Sequence, residues 1–200
     1  MLPWWVIVPV RSGTGAKTRL STLPAATRAA IALAFAQDTL AAVAACGEVS
    51  GIIVVADELA HQSLTGPALH RVDDPGAGLN GALLAAASTV PAGAGVVALM
   101  SDLPALTPDE LARALRLARE RRRSFVCDSE GIGTTMLASQ DPRGLDPHFG
   151  ERSRAAHAAS GAVEIQDSSL PRLRRDVDSE VALWDARRLG VGPATTQALA

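Results

Sequence analysis

Short runs of β-branched residues alternate with alanine- and leucine-rich stretches of helical period along the chain, and this alternation narrows the folds open to it. The runs fall at 4–10, 51–56, 95–100 and 124–127, and the helical stretches at 25–45, 80–88, 108–121, 153–160 and 181–189. Strands separated by helices are joined by crossovers, which makes neighbouring strands parallel and covers both faces of the sheet. The expected fold is therefore α/β, with three layers around a mainly parallel sheet. Within it, Thr107 followed by Pro108 predicts one helix start, with a hydroxyl cap and a pre-set proline φ. At 200 residues the chain suffices for one core and is short for two, so residues 1–200 read as a single domain.

An open sheet of this kind gathers ligands outside the carboxyl ends of its strands. The loops after Val10, Ala56, Met100 and Cys127 are thus the places to look for function. The net charge of −2 gives no electrostatic footprint for nucleic acid. No apolar run approaches the roughly 18 residues of a membrane span. The expected partner is a small molecule, with neither nucleic acid nor membrane involved. Cys46 and Cys127 form no Cys-x-x-Cys pair and lack histidine at zinc spacing, which fits a reduced, cytoplasmic chain. The apolar start lacks a basic leader and a cleavage site and reads as a first strand.

Of 19 basic residues only Lys17 is lysine, and it sits in the first of those loops, 11–19. There Arg11, Lys17 and Arg19 surround two glycines, so backbone N–H groups and cationic side chains can close on an anion. A P-loop would need glycine where Arg11 and Ala16 stand, and the dinucleotide fingerprint would need one at Thr18. A phosphate grip of neither type, or a plain glycine turn, are the readings left.

Asp102 follows the strand at 95–100, and Pro104 stops any continuation, so its carboxylate is expected at the ligand edge. Hard oxygen ligands of this kind hold Mg²⁺ in phosphate chemistry; an ordinary aspartate turn is the alternative. In 173–179, Asp176 and Asp178 alternate and would share a face in an extended segment, with Arg174 and Arg175 beside them for an anion. A solvated charged turn is the alternative there. Thr134 and Thr135 follow Gly131 and Gly133, while Gly150 and Ser153 lead into a helix, giving two further sets of anion donors. His157, one turn on, reads as packed or exposed rather than catalytic. Gly78 and Asn80 open another helix, where Asn80 serves as a cap or as a nucleotide contact.

In order along the chain, Val8-Pro-Val-Arg, Ala16-Lys-Thr-Arg-Leu20, Gly78-Leu-Asn80, Ser101-Asp-Leu-Pro104, Gly133-Thr-Thr135, Phe149-Gly-x-x-Ser153 and Asp176-Val-Asp178 resemble one family. It is the 2-phospho-L-lactate or phosphoenolpyruvate guanylyltransferase family of coenzyme F420 biosynthesis. The resemblance implies a nucleotide-diphospho-sugar-transferase-like (Rossmann-like) fold and transfer of GMP from GTP to a small phosphorylated carboxylic acid. It further implies nucleotide binding by Arg11, Lys17, Arg19, Gly78 and Asn80, with Lys17 and Asp102 catalytic. Asp102, Asp176 and Asp178 would bind Mg²⁺, and Thr134, Thr135, Gly150 and Ser153 the acceptor. Phosphoenolpyruvate is favoured over 2-phospho-L-lactate, and the downstream transferase that uses the product is an expected partner. Arg11 stands where lysine is common, and the Trp4-Trp5 pair is unexpected. The alternatives are a related nucleotidyltransferase acting on a sugar phosphate or the molybdenum cofactor, and a non-catalytic nucleotide-binding protein on the same scaffold.

Overall fold

A computed structural model describes residues 2–10, 24–64 and 69–200. Arg11, Lys17 and Arg19 lie outside the described residues.

Among the described residues, seven strands form one sheet: β1 (Trp4–Val10), β2 (Val49–Ala56), β3 (Leu69–Asp73), β4 (Gly95–Leu99), β5 (Arg123–Cys127), β6 (Thr134–Ser139) and β7 (Val163–Glu164). Their spatial order is β3-β2-β1-β4-β6-β5-β7. All pairings are parallel except those of β6, which runs antiparallel to both β4 and β5. The helices are α1 (Ala25–Ala44), α2 (Glu58–Ser63), α3 (Gly78–Ala87), α4 (Pro108–Ala118), α5 (Ser153–Ala159), α6 (Glu180–Leu189) and α7 (Pro193–Ala198). The expected α/β architecture is present, and each expected helix is there within three residues at either end. Strands β3, β6 and β7 and helices α2 and α7 go beyond the sequence reading.

Sequence sets these elements in familiar ways. Central β4 is buried along its whole length, as a strand covered on both faces must be. Thr107 accepts from the Glu110 N–H ahead of α4, with Pro108 at the first turn, as predicted. Asp57 caps α2 and Ser179 caps α6 in the same manner. One large cluster on one face joins Val6, Leu40, Val54, Val97 and Leu111, and a second on the other face joins Ile7, Ile53, Leu83, Val96 and Phe125. Alternation along β1 sends Val6 and Ile7 to opposite faces.

The tryptophan pair has a packing explanation. Trp4 is registered with Gly95 on β4 and Trp5 with Gly51 on β2. A Cβ at Gly51 would stand 2.6 Å from the Trp5 indole, and one at Gly95 would collide with the Trp4 ring. Each indole therefore lies across a glycine of the adjoining strand, and Trp4 is wholly buried.

Candidate active site

Among the described residues, six strands running the same way direct their carboxyl ends to one edge, and the reversal of β6 brings its first residue, Thr134, to that edge as well. Two adjoining clefts open there. The first, about 270 Å³, is mainly apolar and is lined by Val10, Ala32, Val55, Ala82 and Ser101 among others. The second, about 460 Å³, is lined by Asp128, Gly133, Thr134, Gly150, Arg152 and Ser153 among others. Leu79, Met100, Asp102 and Asp178 line both.

Asp102, Asp176 and Asp178 offer carboxylate oxygens that all lie within 4.8 Å of one another. Backbone structure produces this meeting. The Val177 N–H donates to the Asp102 carbonyl at 3.0 Å, tying the C-terminal segment to the loop after β4. Val177 is wholly buried against Ile31, Phe35 and Ala105, so alternation turns the flanking aspartates the other way. On α4, Glu110 accepts the N–H groups of Arg172 and Leu173 at 2.9 and 3.0 Å, fixing the approach to Asp176. Burial nevertheless raises its pKa, the two amide bonds opposing. Thr39 on α1 supports the opposite side: its hydroxyl accepts from the Leu103 N–H at 3.2 Å and lies 3.2 Å from the Ser101 carbonyl. It thereby brackets Asp102.

The turn between β5 and β6 is closed by Asp128, whose carboxylate accepts from the N–H groups of Ile132 and Gly133 at 2.9 and 2.6 Å. A side chain at Gly133 would meet that carboxylate. Arg154 then fastens α5 to the turn. Its side chain donates to the Gly131 carbonyl and pairs with Glu164 at 3.0 Å, while its backbone N–H donates to Ile132.

Several expected roles change here. Thr134 and Thr135 point to opposite faces of β6: Thr134 lines the second cleft, whereas the Thr135 hydroxyl turns to the Val126 carbonyl at 3.4 Å. Asn80 is not a cap, since α3 begins at Gly78 (φ 73°). Its side-chain amide forms a two-bond bridge with the Phe149 backbone, at 2.9 and 3.0 Å, so one donor and one acceptor position are taken by protein. Gly78 does not line either cleft; its neighbour Leu79 lines both. Gly150 and Ser153 do line the second cleft, but the first amides of α5 are spent: Ser153 donates to Gly150, Arg154 to Ile132 and Ala155 to Arg152. The expected anion site at that helix start is thus occupied by protein carbonyls. Arg174 and Arg175 leave the aspartates for a neighbouring cleft, Arg174 donating to the Asp128 carbonyl and Arg175 pairing with Asp185 at 3.2 Å.

Sequence reasoning missed Arg152, which adopts a left-handed conformation (φ 58°) ahead of α5 and enters the second cleft. Among the described residues it is the cation of a lining that also carries Asp102, Asp128, Glu130, Glu151, Asp176 and Asp178. An anion entering this cleft needs further positive charge, because like charges repel strongly at such range.

A family model described as guanylyl transferase CofC like matches residues 4–169. The phosphoenolpyruvate guanylyltransferase of Streptomyces coelicolor is 46% identical over 200 residues, covering 97% of this chain and 94% of that protein. A nucleotidyl transferase from Methanothermobacter shares the fold, with a TM-score of 0.63 at 19% identity over 93% of this chain and 96% of its own. A Mycobacterium tuberculosis protein crystallised with manganese does so too, with a TM-score of 0.59 at 22% identity over 94% and 97% of the two chains. The fold is therefore of nucleotidyltransferase type.

Proposed function

The chain belongs to the CofC-like guanylyl transferase family, and from that premise we propose that it transfers GMP from GTP to the phosphate of phosphoenolpyruvate, with 2-phospho-L-lactate as the next candidate, in coenzyme F420 biosynthesis. The observation that carries this reading is the position of the carboxylates: Asp102 and Asp178 stand on the wall common to both clefts. Guanosine occupies the apolar first cleft and the acid the second, which puts the α-phosphate of GTP beside the aspartates. The choice of phosphoenolpyruvate is supported by the substrate named for the Streptomyces relative.

In this reaction an ionised phosphate oxygen of the acid attacks the α-phosphorus of GTP. A new P–O bond forms as the bond to the bridging oxygen breaks, and pyrophosphate leaves with the electron pair. A phosphomonoester has a second pKa near 6, so its oxygen is already charged at neutral pH and no side chain has to remove a proton. The protein's work is therefore alignment and charge stabilisation.

Asp102, Asp176 and Asp178 suit a hard divalent cation, because they are three carboxylates with close oxygens in a cleft of excess negative charge. They would hold Mg²⁺, which when bound offsets the charge that builds on the phosphoryl oxygens. Manganese in the Mycobacterium neighbour supports use of a divalent ion here. Thr134, Ser153 and Arg152 offer donors to the acid's carboxylate and phosphate. Thr135, with its hydroxyl on the Val126 carbonyl, supports the strand instead. Arg11, Lys17 and Arg19 would grip the triphosphate from the first loop, Lys17 as the catalytic cation. Asn80 serves the nucleotide indirectly, by locking the Phe149 segment to α3.

No helix among the described residues is long and apolar enough to cross a membrane. Both cysteines are free and buried, which supports a reducing, cytoplasmic setting. The product is a mixed anhydride between two phosphates, an activated group suited to direct use by the downstream transferase. The test is pyrophosphate release from GTP and Mg²⁺ with phosphoenolpyruvate, 2-phospho-L-lactate and 3-phosphoglycerate in turn, with that transferase supplied to draw off product. Release with phosphoenolpyruvate is the expected result; silence with all three despite GTP binding would overturn the proposal.

A further inference from the structure

His157 lies on α5, four residues beyond Ser153, and has no exposed surface. Its ring is enclosed by Phe149, Phe125 and His148, at centroid distances of 4.9, 5.8 and 6.1 Å. In such surroundings a polar ring persists only with its nitrogens satisfied, and both have a partner. The His148 backbone N–H reaches Nε2 at 2.9 Å, and Nδ1 lies 2.9 Å from the Thr134 hydroxyl.

Hydrogen-bond polarity then leaves one arrangement. A backbone N–H can only donate, so Nε2 accepts and the ring proton resides on Nδ1. That Nδ1–H donates to Thr134 Oγ1 and occupies an acceptor position on it. The hydroxyl keeps its own hydrogen, for which no protein acceptor is recorded among the described residues, while Thr134 lines the second cleft beside Gly150 and Ser153. The same neutral tautomer persists through neutral pH. Burial above all, reinforced by His148 and Arg123 and opposed by Asp146 and the Ser153 backbone, lowers the His157 pKa to about 4.

We propose that His157 is a positioning residue of the acceptor site: its Nδ1–H fixes the Thr134 hydroxyl as a committed donor toward a carboxylate or phosphate oxygen of the acid in the second cleft. The inference rests on the reading of that cleft as the acceptor site. A solitary threonine hydroxyl rotates and exchanges donor for acceptor roles. This one is polarised in advance, so it favours a ligand group that only accepts, an ionised oxyanion, over a hydroxyl or amine of similar size. The sequence reading had Thr134 as a donor and His157 as packed or exposed; the 2.9 Å contact between them joins the two.

Steady-state kinetics with GTP, Mg²⁺ and phosphoenolpyruvate test it. Thr134→Val and His157→Leu should each raise the KM for phosphoenolpyruvate about tenfold or more, as expected for one hydrogen bond to a charged group, while the KM for GTP stays within about twofold. Thr134→Ser keeps the hydroxyl and should recover most of what Thr134→Val loses. His157→Asn, which retains an N–H close to the Nδ1 position and is less disruptive should the leucine variant fold poorly, should recover much of the loss. The double variant His157→Leu/Thr134→Val should be no worse than Thr134→Val, because His157 acts through that hydroxyl. An unchanged KM in Thr134→Val, or a His157→Leu effect that is undiminished when Thr134 is already valine, overturns this inference alone. Wild-type protein that is silent with every acid overturns the acceptor-site reading and this inference with it.

Discussion

Lowering the pH from 7.5 to 4.5 should destabilise the wild-type protein more than a His157→Asn variant, by an amount that follows from the ring's surroundings. Enclosure without solvent, the nearby His148 and the Arg123 guanidinium take its pKa from 6.5 to about 4. In the unfolded chain the ring takes up a proton as pH falls through 6.5, while in the folded chain it resists until about 4. The unfolded state therefore binds more protons across that window, so stability falls with pH between 6.5 and 4 and levels off below. At pH 4.5 the differential reaches about 2.5 kcal/mol at 1.36 kcal/mol per pKa unit. Urea unfolding of both proteins across the range isolates this contribution. The carboxylates and the other three histidines are common to both proteins and cancel to first order in the difference. The stability difference between wild type and variant should shrink by about 2 kcal/mol or more from pH 7.5 to 4.5. A difference that is constant with pH would mean that His157 protonates as an ordinary histidine, and the enclosure argument would fail.

Asp102→Asn should leave the fold intact and lower turnover by about a hundredfold or more, since charge stabilisation at the phosphoryl group is the main catalytic contribution; undiminished activity would remove Asp102 from the site. Chelation should abolish pyrophosphate release and added Mg²⁺ should restore it, whereas full activity in chelator would exclude the carboxylate–cation reading. Gly51→Ala places a methyl against the Trp5 indole and should cost about 1–3 kcal/mol as overpacking, seen as a lower melting temperature; an unchanged one would refute the glycine–indole fit. Asp38 on α1 accepts from the Ala194 and Thr195 N–H groups at 3.0 and 2.8 Å, capping α7. Asp38→Ala should therefore cost about 1–2 kcal/mol in urea unfolding, and no loss would show the cap to be inconsequential.

The parts of the fold that were legible in the sequence are those whose burial leaves a local pattern. Trp4–Val10 and Gly95–Leu99 are apolar because both faces of a central strand are covered. Edge strand β3, Leu69–Asp73, has exposed or half-buried residues throughout and shows no apolar run. Strand β6, Thr134–Ser139, is wholly buried but opens on two threonines after glycines, which resemble anion donors in a loop. The aspartates were legible for a local reason as well: one follows a strand directly, and two alternate around a single buried valine. The rest depends on contacts distant in sequence. Nothing near Asn80 announces Phe149, and nothing near Thr134 announces the ring of His157 or the amide of His148 behind it. The Trp4-Trp5 pair looked odd because the glycines that accommodate it lie on two other strands.

The reversed strand ties these observations together. Had β6 run parallel to β4, Thr134 would begin its strand at the amino edge of the sheet, remote from Asp102. Running antiparallel, with a turn closed by Asp128, it starts at the carboxyl edge, where the Thr135 carbonyl accepts from the Met100 N–H at 2.9 Å. Two residues beyond Met100 stands Asp102. The strand that carries the proposed acceptor donor is thus hydrogen-bonded directly to the loop that carries the proposed metal ligand. Displacement of either would be transmitted to the other through that backbone bond. This geometry suits an in-line transfer, in which an error of about 1 Å in the relative placement of acceptor and α-phosphate can cost about a hundredfold in rate. It also accounts for the crowd of supports around the edge, with Thr39 behind the Asp102 loop, Glu110 behind the approach to Asp176, and Arg154 and His157 behind the acceptor turn. None of these four contributes charge to the reacting phosphates in the proposed mechanism; each limits the freedom of a group that does, or that holds the acid.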